Sequence, residues 1–187
     1  AWKEFSSSPA PRHVINATQK GGVAAAIRLL KDTTKGGDSY FLASPAIAGQ
    51  VQPALTYYSN TLPVFTLASA WDPGNDSGTQ QDLEGLGFCG LPWLLDSERP
   101  EQTSLYEAQA RPAASYDRLY ALGADAWSVL QSLGALRHGK ALPLRTGLVH
   151  LDSRGQLVSL PTCAEIRHGM ATVMFTPEPP RPPENGR

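Results

Sequence analysis

Between Lys20 and Ser69 the hydrophobic period of the chain switches repeatedly, and that alternation narrows the fold more than any other feature. Val23, Ala26, Ile27 and Leu30 recur at three- and four-residue spacing, which predicts a helix over Lys20 to Lys31 that stops at Gly36-Gly37. SYFLAS is then a short apolar and aromatic run between turn signals, the pattern of a strand buried on both faces. Ser44-Pro45 reads as a capped helix start, so AIAGQVQPALTYYS is a helix that Pro53 should kink or split. After the turn Asn60 to Pro63, VFTLAS is a second buried strand. Strands and helices alternating over short connections form βαβ units and a parallel sheet, an α/β domain.

Beyond Ser69 the signal changes. WDPGNDSGTQQDLEG is a loop with at most a short helix at Gln80 to Leu83, and it leaves the carboxyl end of a parallel strand, where such folds bind ligands. GLGFCGLPWLLD is extended and apolar, and Pro92 suits it to an edge strand or a hinge crossing. Ser97 to Pro112 is polar linker. A long helix from Ser115, its cap, to Arg137 carries one stripe of Leu119, Leu122, Ala126, Leu130 and Leu133 and an adjacent one of Tyr116, Tyr120 and Trp127. An apolar face that wide predicts deep packing. GLVHLDSRGQLVSLP alternates around a Ser-Arg-Gly turn as a hairpin, and CAEIRHGMATVMF gives two strands split at His168-Gly169. The organisation expected is 1–70 as the βαβ part of one lobe, 71–112 as loop and interlobe crossing, 113–176 as the long helix with the last strands, and 177–187 as a disordered Pro-rich tail.

Composition removes several function classes. A chain of 187 residues, 41% apolar, builds a real core. Its 16 Lys and Arg against 17 Asp and Glu give no electrostatic footprint for nucleic acid or an anionic membrane. No apolar run reaches the roughly 20 residues of a membrane helix. The opening AWKEFSSSPAPRH lacks the apolar core and cleavage pattern of a signal peptide, so Ala1 is expected to be a cut end.

Chemical motifs are sparse. Gly85 to Gly90, GLGFCG, fits the dinucleotide-binding pattern, but no helix opens after it to hold a pyrophosphate, so the glycines are read as serving a tight backbone crossing. His13, His138, His150 and His168 have no helical partners for a metal, and Cys163 with His168 is a weak nucleophile pair. No catalytic residue, metal or cofactor is expected. Asp76, Asp82 and Glu84 sit in polar surroundings and read as a solvated loop. Asn16 and Asn75 fit a glycosylation pattern that carries meaning only in a eukaryotic secretory pathway. Cys89 and Cys163 are read equally well as one bridge or as two buried thiols. Aromatic residues remain: Trp71, Trp93, Tyr116, Tyr120 and Trp127. Helical spacing favours a core role for most of them, and Trp71, on the loop leaving a strand, is the one expected to be functional.

The stretches DSYFLASPAIAGQVQPALTYYSNTLPVF, GFCGLPWLLD and YDRLYALGADAWSVLQSLGALRHG, followed by GLVHLDSRGQLVSLPTCAEIRHGMATV, resemble the carboxyl-terminal domain of the LppC/LpoA outer-membrane lipoproteins of Gram-negative bacteria. RLYALGADAW and the G-x-x-x-L-D-x-x-G-x-L hairpin are the most specific parts. The resemblance implies a type I periplasmic-binding-protein-like bilobal fold, here one lobe plus crossing segments, since the first lobe's opening strands have no counterpart. It also implies a periplasmic protein tethered to the inner face of the outer membrane through an upstream lipid anchor. Its role would be non-catalytic activation of a class A penicillin-binding protein, the peptidoglycan synthase, with peptidoglycan itself a further candidate partner. The alternative is a periplasmic receptor for an amino acid, peptide or sugar. Trp71, Trp93, Tyr116 and Arg118 are the expected contact residues, and the oxidising periplasm favours a Cys89–Cys163 bridge.

Overall fold

The computed structural model describes residues 21–33, 39–42, 44–58, 61–72, 80–95 and 114–179. The expected readings at 1–20, Gly36-Gly37, Asn75, Asp76, the linker 97–112 and most of the Pro-rich tail lie outside them. Helix α1 (Gly22–Thr33), strand β1 (Tyr40–Leu42), helix α2 (Pro45–Tyr57) and strand β2 (Val64–Thr66) follow the predicted order. After a 3-10 turn at Ala68–Ala70 come β3 (Leu86–Gly90) and the one-turn helix α3 (Pro92–Leu95). The second part holds α4 (Ala114–Gln131), α5 (Leu133–Arg137), and β4 (Leu142–Pro143), β5 (Leu148–Leu151), β6 (Leu157–Leu160), β7 (Thr162–Arg167) and β8 (Met170–Phe175).

Five strands form one sheet in the order β1-β2-β3-β7-β8, and β4-β5-β6 form a smaller one. The pairs β1–β2 and β2–β3 are parallel, whereas β3–β7 and β7–β8 are antiparallel. The sheet is therefore mixed, and β3 is its central strand, where an edge strand or hinge crossing was expected. Pro92 does not disturb it, because the proline falls in α3, past the end of the strand.

Burial explains why the parallel part forms. Ile27 from α1 and Ala48, Val51 and Leu55 from α2 pack with Val64, Leu86, Phe88, Ala164 and Ile166 of the sheet. The expectation that β1 and β2 are buried on both faces fails: Phe41 and Phe65 point outward. They share a register row with Gly87, and Phe65 lies so close over it that a Cβ there would sit 2.7 Å from the ring. Helix α2 runs through Pro53 without being split. Ser44 occupies the cap position but its hydroxyl makes no cap bond; the Ile47 N–H donates instead to the Ser44 carbonyl oxygen at 3.3 Å.

Turn chemistry fixes both late hairpins. Asp152 Oδ1 accepts the Arg154 and Gln156 N–H groups, 2.8 Å each, and Gly155 takes positive φ between β5 and β6. His168 and Gly169, φ 54° and 72°, make the tight turn between β7 and β8, since two positive φ values in succession suit the right-handed twist of a hairpin. Glu84, expected to be merely solvated, accepts the His168 N–H at 3.0 Å and ties that turn to the entrance of β3. Cys89 and Cys163 face each other across β3 and β7 and are joined by a disulfide, with Cα atoms 3.9 Å apart.

The long helix departs most from expectation. It begins before Ser115, so that residue is not its cap, and Ser132 interrupts it ahead of α5. Its predicted deep packing is also reversed. Asp117, Ala121 and Asp125 are the buried positions, while Tyr116, Leu119, Leu122, Trp127 and Leu130 are each more than half exposed.

Candidate functional site

Two surface features involve the residues singled out in the sequence: a shallow cavity beside the disulfide, and α4 itself. The cavity has a volume of about 200 Å³ and is lined by Trp71, Phe88, Leu91, Leu94, Leu95, Arg118 and the bridged Cys89, among others. Trp71 follows the 3-10 turn and stacks on Phe88, ring centroids 5.6 Å apart and planes 27° from parallel. Its indole is buried, and Nε1 has no hydrogen-bond partner among the described residues. Arg118 reaches across from α4 and donates from Nη2 to the Ala68 carbonyl oxygen at 3.3 Å. Among the described residues that line the cavity it is the one charged side chain, and none of them is a carboxylate, an imidazole or a free thiol. Among the described residues this wall offers shape and one cation. No group of three or more His, Cys, Asp or Glu able to hold a metal occurs among the described residues.

The four expected contact residues separate accordingly. Trp71 and Arg118 share the cavity. Trp93 is a correction: at 1% exposure it is a core side chain and no partner can reach it. It lies under Tyr120, ring centroids 5.5 Å apart, with the Arg145 guanidinium 5.6 Å over its ring, and its backbone N–H donates to the Arg145 carbonyl oxygen. Trp71 is corrected in part, since its burial leaves only an edge for contact. Tyr116 is exposed on the outward side of α4 and does not line the cavity.

Asp125 is the residue whose role sequence reasoning missed. The β4–β5 turn closes through mutual bonds between Leu144 and Gly147, which leaves the Arg145 and Thr146 N–H groups facing α4. Asp125 accepts both, at 3.1 and 2.6 Å, and pairs with the Arg145 guanidinium at 3.6 Å. A carboxylate taking two backbone N–H groups and a cation is well compensated for its burial. The signal was present: two aspartates eight residues apart, with Ala121 midway, define one face of a helix.

No helix among the described residues is long and apolar enough to cross a membrane. Residues 22–158 match the model of the LppC lipoprotein family. The penicillin-binding protein activator LpoA of Edwardsiella ictaluri (strain 93-146) is 29% identical over 101 residues, 52% of this chain. The match spans 15% of that protein's length. Among solved structures, the C-domain of Haemophilus influenzae LpoA, a regulator of PBP1A, superposes with a TM-score of 0.67 at 20% identity, over 82% of this chain and 49% of that one. A branched-chain amino acid ABC transporter protein from Rhodospirillum rubrum gives 0.58 at 18% identity, over 89% and 49%. These likenesses establish the fold as a part of a periplasmic-binding-protein-like α/β domain.

Proposed function

The chain belongs to the LppC lipoprotein family, and from that premise we propose that it is part of a periplasmic regulator that binds a class A penicillin-binding protein and raises its peptidoglycan-synthase activity. The observation that carries the proposal is the family match across residues 22–158 together with relatives named as activators of penicillin-binding proteins. The protein acts without chemistry of its own, and a lipid anchor elsewhere in the polypeptide holds it at the inner face of the outer membrane. An activator needs only to bind the faster conformation of its partner more tightly than the slower one. A preference of about 1.4 kcal/mol shifts that equilibrium tenfold.

The cavity fits this role better than that of a solute receptor. At about 200 Å³ it is smaller than the roughly 300–1,000 Å³ of ligand pockets. Arg118, partly buried in the cavity lining, is the anchor we assign to the partner, since arginine is enriched where interfaces carry their energy.

The test is a titration of the full periplasmic region against its cognate class A synthase, with glycosyltransferase and transpeptidase rates followed together. Saturable binding with a rise in rate is expected, and Arg118→Ala should weaken binding by more than about 1 kcal/mol, roughly fivefold, without unfolding the domain. No binding, with a thermal shift from an amino acid, peptide or sugar, would replace the proposal by the solute receptor.

A further inference from the structure

We propose that the cavity beside the disulfide takes one carboxylate carried on a single aromatic or branched apolar group with no ammonium beside it. That chemistry is shared by the carboxyl-terminal residue of a polypeptide and by a free aryl or branched-chain acid. The inference deepens the docking reading of Arg118, and it rests on that reading only where the partner is said to supply the group.

Charge decides the first part. Among the described residues the side chain of Arg118 makes a single hydrogen bond, to the neutral Ala68 carbonyl oxygen, and no carboxylate pairs with it. A guanidinium carries several N–H donors in a planar fork and keeps its charge throughout the physiological range. Most of that fork therefore lacks a partner within the described chain, although the side chain is partly buried. The two oxygens of a carboxylate match the fork. One cation answers one negative charge, so a dianion would bring an uncompensated charge against apolar walls.

Size and polarity decide the rest. The stacked rings of Trp71 and Phe88 form part of the wall, with Leu91, Leu94 and Leu95 around them. An apolar cavity of about 150 Å³ holds a benzene-sized molecule. At about 200 Å³ this one holds such a ring, or a branched aliphatic side chain, with little room beyond a carboxylate. A free amino acid fits less well. Its ammonium would enter a lining that has no carboxylate among the described residues and whose Ala68 oxygen is already taken by Arg118. Acylation removes that charge, and the last residue of a polypeptide is acylated by its own peptide bond. The cavity is thus matched to one residue of a larger molecule or to a small acid, and not to a zwitterion.

The experiment is a calorimetric titration of the full periplasmic region with 3-phenylpropionate, acetyl-glycyl-glycyl-phenylalanine, the amide of that peptide, and free phenylalanine. Phenylpropionate and the peptide acid should bind. The amide should bind about tenfold more weakly, as expected where a hydrogen bond to a charged group is lost, and free phenylalanine should also bind more weakly than the peptide acid. A peptide acid tighter than phenylpropionate gives a polypeptide terminus as the source, and the reverse order gives a free acid. Arg118→Ala should reduce binding of the peptide acid to that of the amide, and Leu91→Trp, which fills the cavity and keeps the guanidinium, should abolish it. Equal binding of acid and amide, a preference for free phenylalanine, or acid binding unchanged in a folded Leu91→Trp variant would overturn the proposal. The comparison of acid with amide uses the unaltered protein, so it decides even where a variant fails to fold. The peptide acid is then added to the synthase titration. A synthase that is bound and activated while no probe binds overturns the cavity chemistry and leaves the activator reading standing. A peptide acid that binds without displacing the synthase keeps the cavity chemistry and removes Arg118 from the synthase contact.

Discussion

Helices α2 and α4 both turn residues spaced four apart toward the protein, and the chemistry of those residues is opposite. In α2 the buried positions are Ala48, Val51, Gln52 and Leu55, which close over the parallel sheet as an ordinary amphipathic helix does. In α4 they are Asp117, Ala121 and Asp125, and the leucines look outward. Helix α2 is held by non-directional burial of apolar surface, which several side-chain arrangements satisfy nearly equally. Helix α4 is held at Asp125 by directed bonds to the backbone of one turn, which only one rotation about its axis satisfies. The difference teaches that a helix's apolar face marks a surface that must be covered, whereas its buried polar contacts mark where the helix is fixed.

Four substitutions sharpen this contrast or break it. Asp125→Ala removes the acceptor of two part-buried N–H groups and the carboxylate beside the Arg145 guanidinium, and should cost about 4 kcal/mol of unfolding free energy in chemical denaturation. Leu55→Ala removes a 1% exposed side chain from the α2 face and should cost about 3 kcal/mol by the same measurement. Asp125→Asn keeps the shape and one acceptor oxygen but loses the charge, for about 2 kcal/mol. Leu130→Ala, on the outward face of α4, should cost under about 0.5 kcal/mol in the isolated chain. If Leu130→Ala proved as costly as Leu55→Ala, the two helices would be packed alike and the contrast would disappear.

The same contrast separates what was legible in the sequence from what was not. The order of α1, β1, α2 and β2 was readable because period and turn residues are local signals, and the late hairpins were readable from Ser-Arg-Gly and His-Gly. The existence of α4 was equally readable. Its orientation was not: the apolar stripe of Leu119, Leu122 and Leu130 gives the direction of a surface needing cover without saying where the cover comes from. Trp93 failed as a contact residue for the same reason. An aromatic side chain carries identical local information in a core and on a rim, and only the placement of Tyr120 and Arg145 around it decides between them. β3 was misplaced at an edge because Pro92 was read as part of the strand, whereas it lies past the strand's end in α3; within β3, the Phe65 ring occupies the space a Cβ at Gly87 would need. The pairing of Trp71 with Arg118 depends on a contact across fifty positions, from α4 back to Ala68, that no local pattern encodes.

The Cys89–Cys163 bridge has a mechanical side. Its half-cystines stand 74 positions apart on neighbouring strands, and all of α4 and the small sheet lie between them. A pull transmitted along the chain from α1 to β8 passes directly from β3 to β7 through sulfur. At about 3.4 Å per residue, roughly 250 Å of contour stays out of the load path. While the bridge is intact, α4 and its acidic anchor experience no tension, however strongly the two ends are drawn apart.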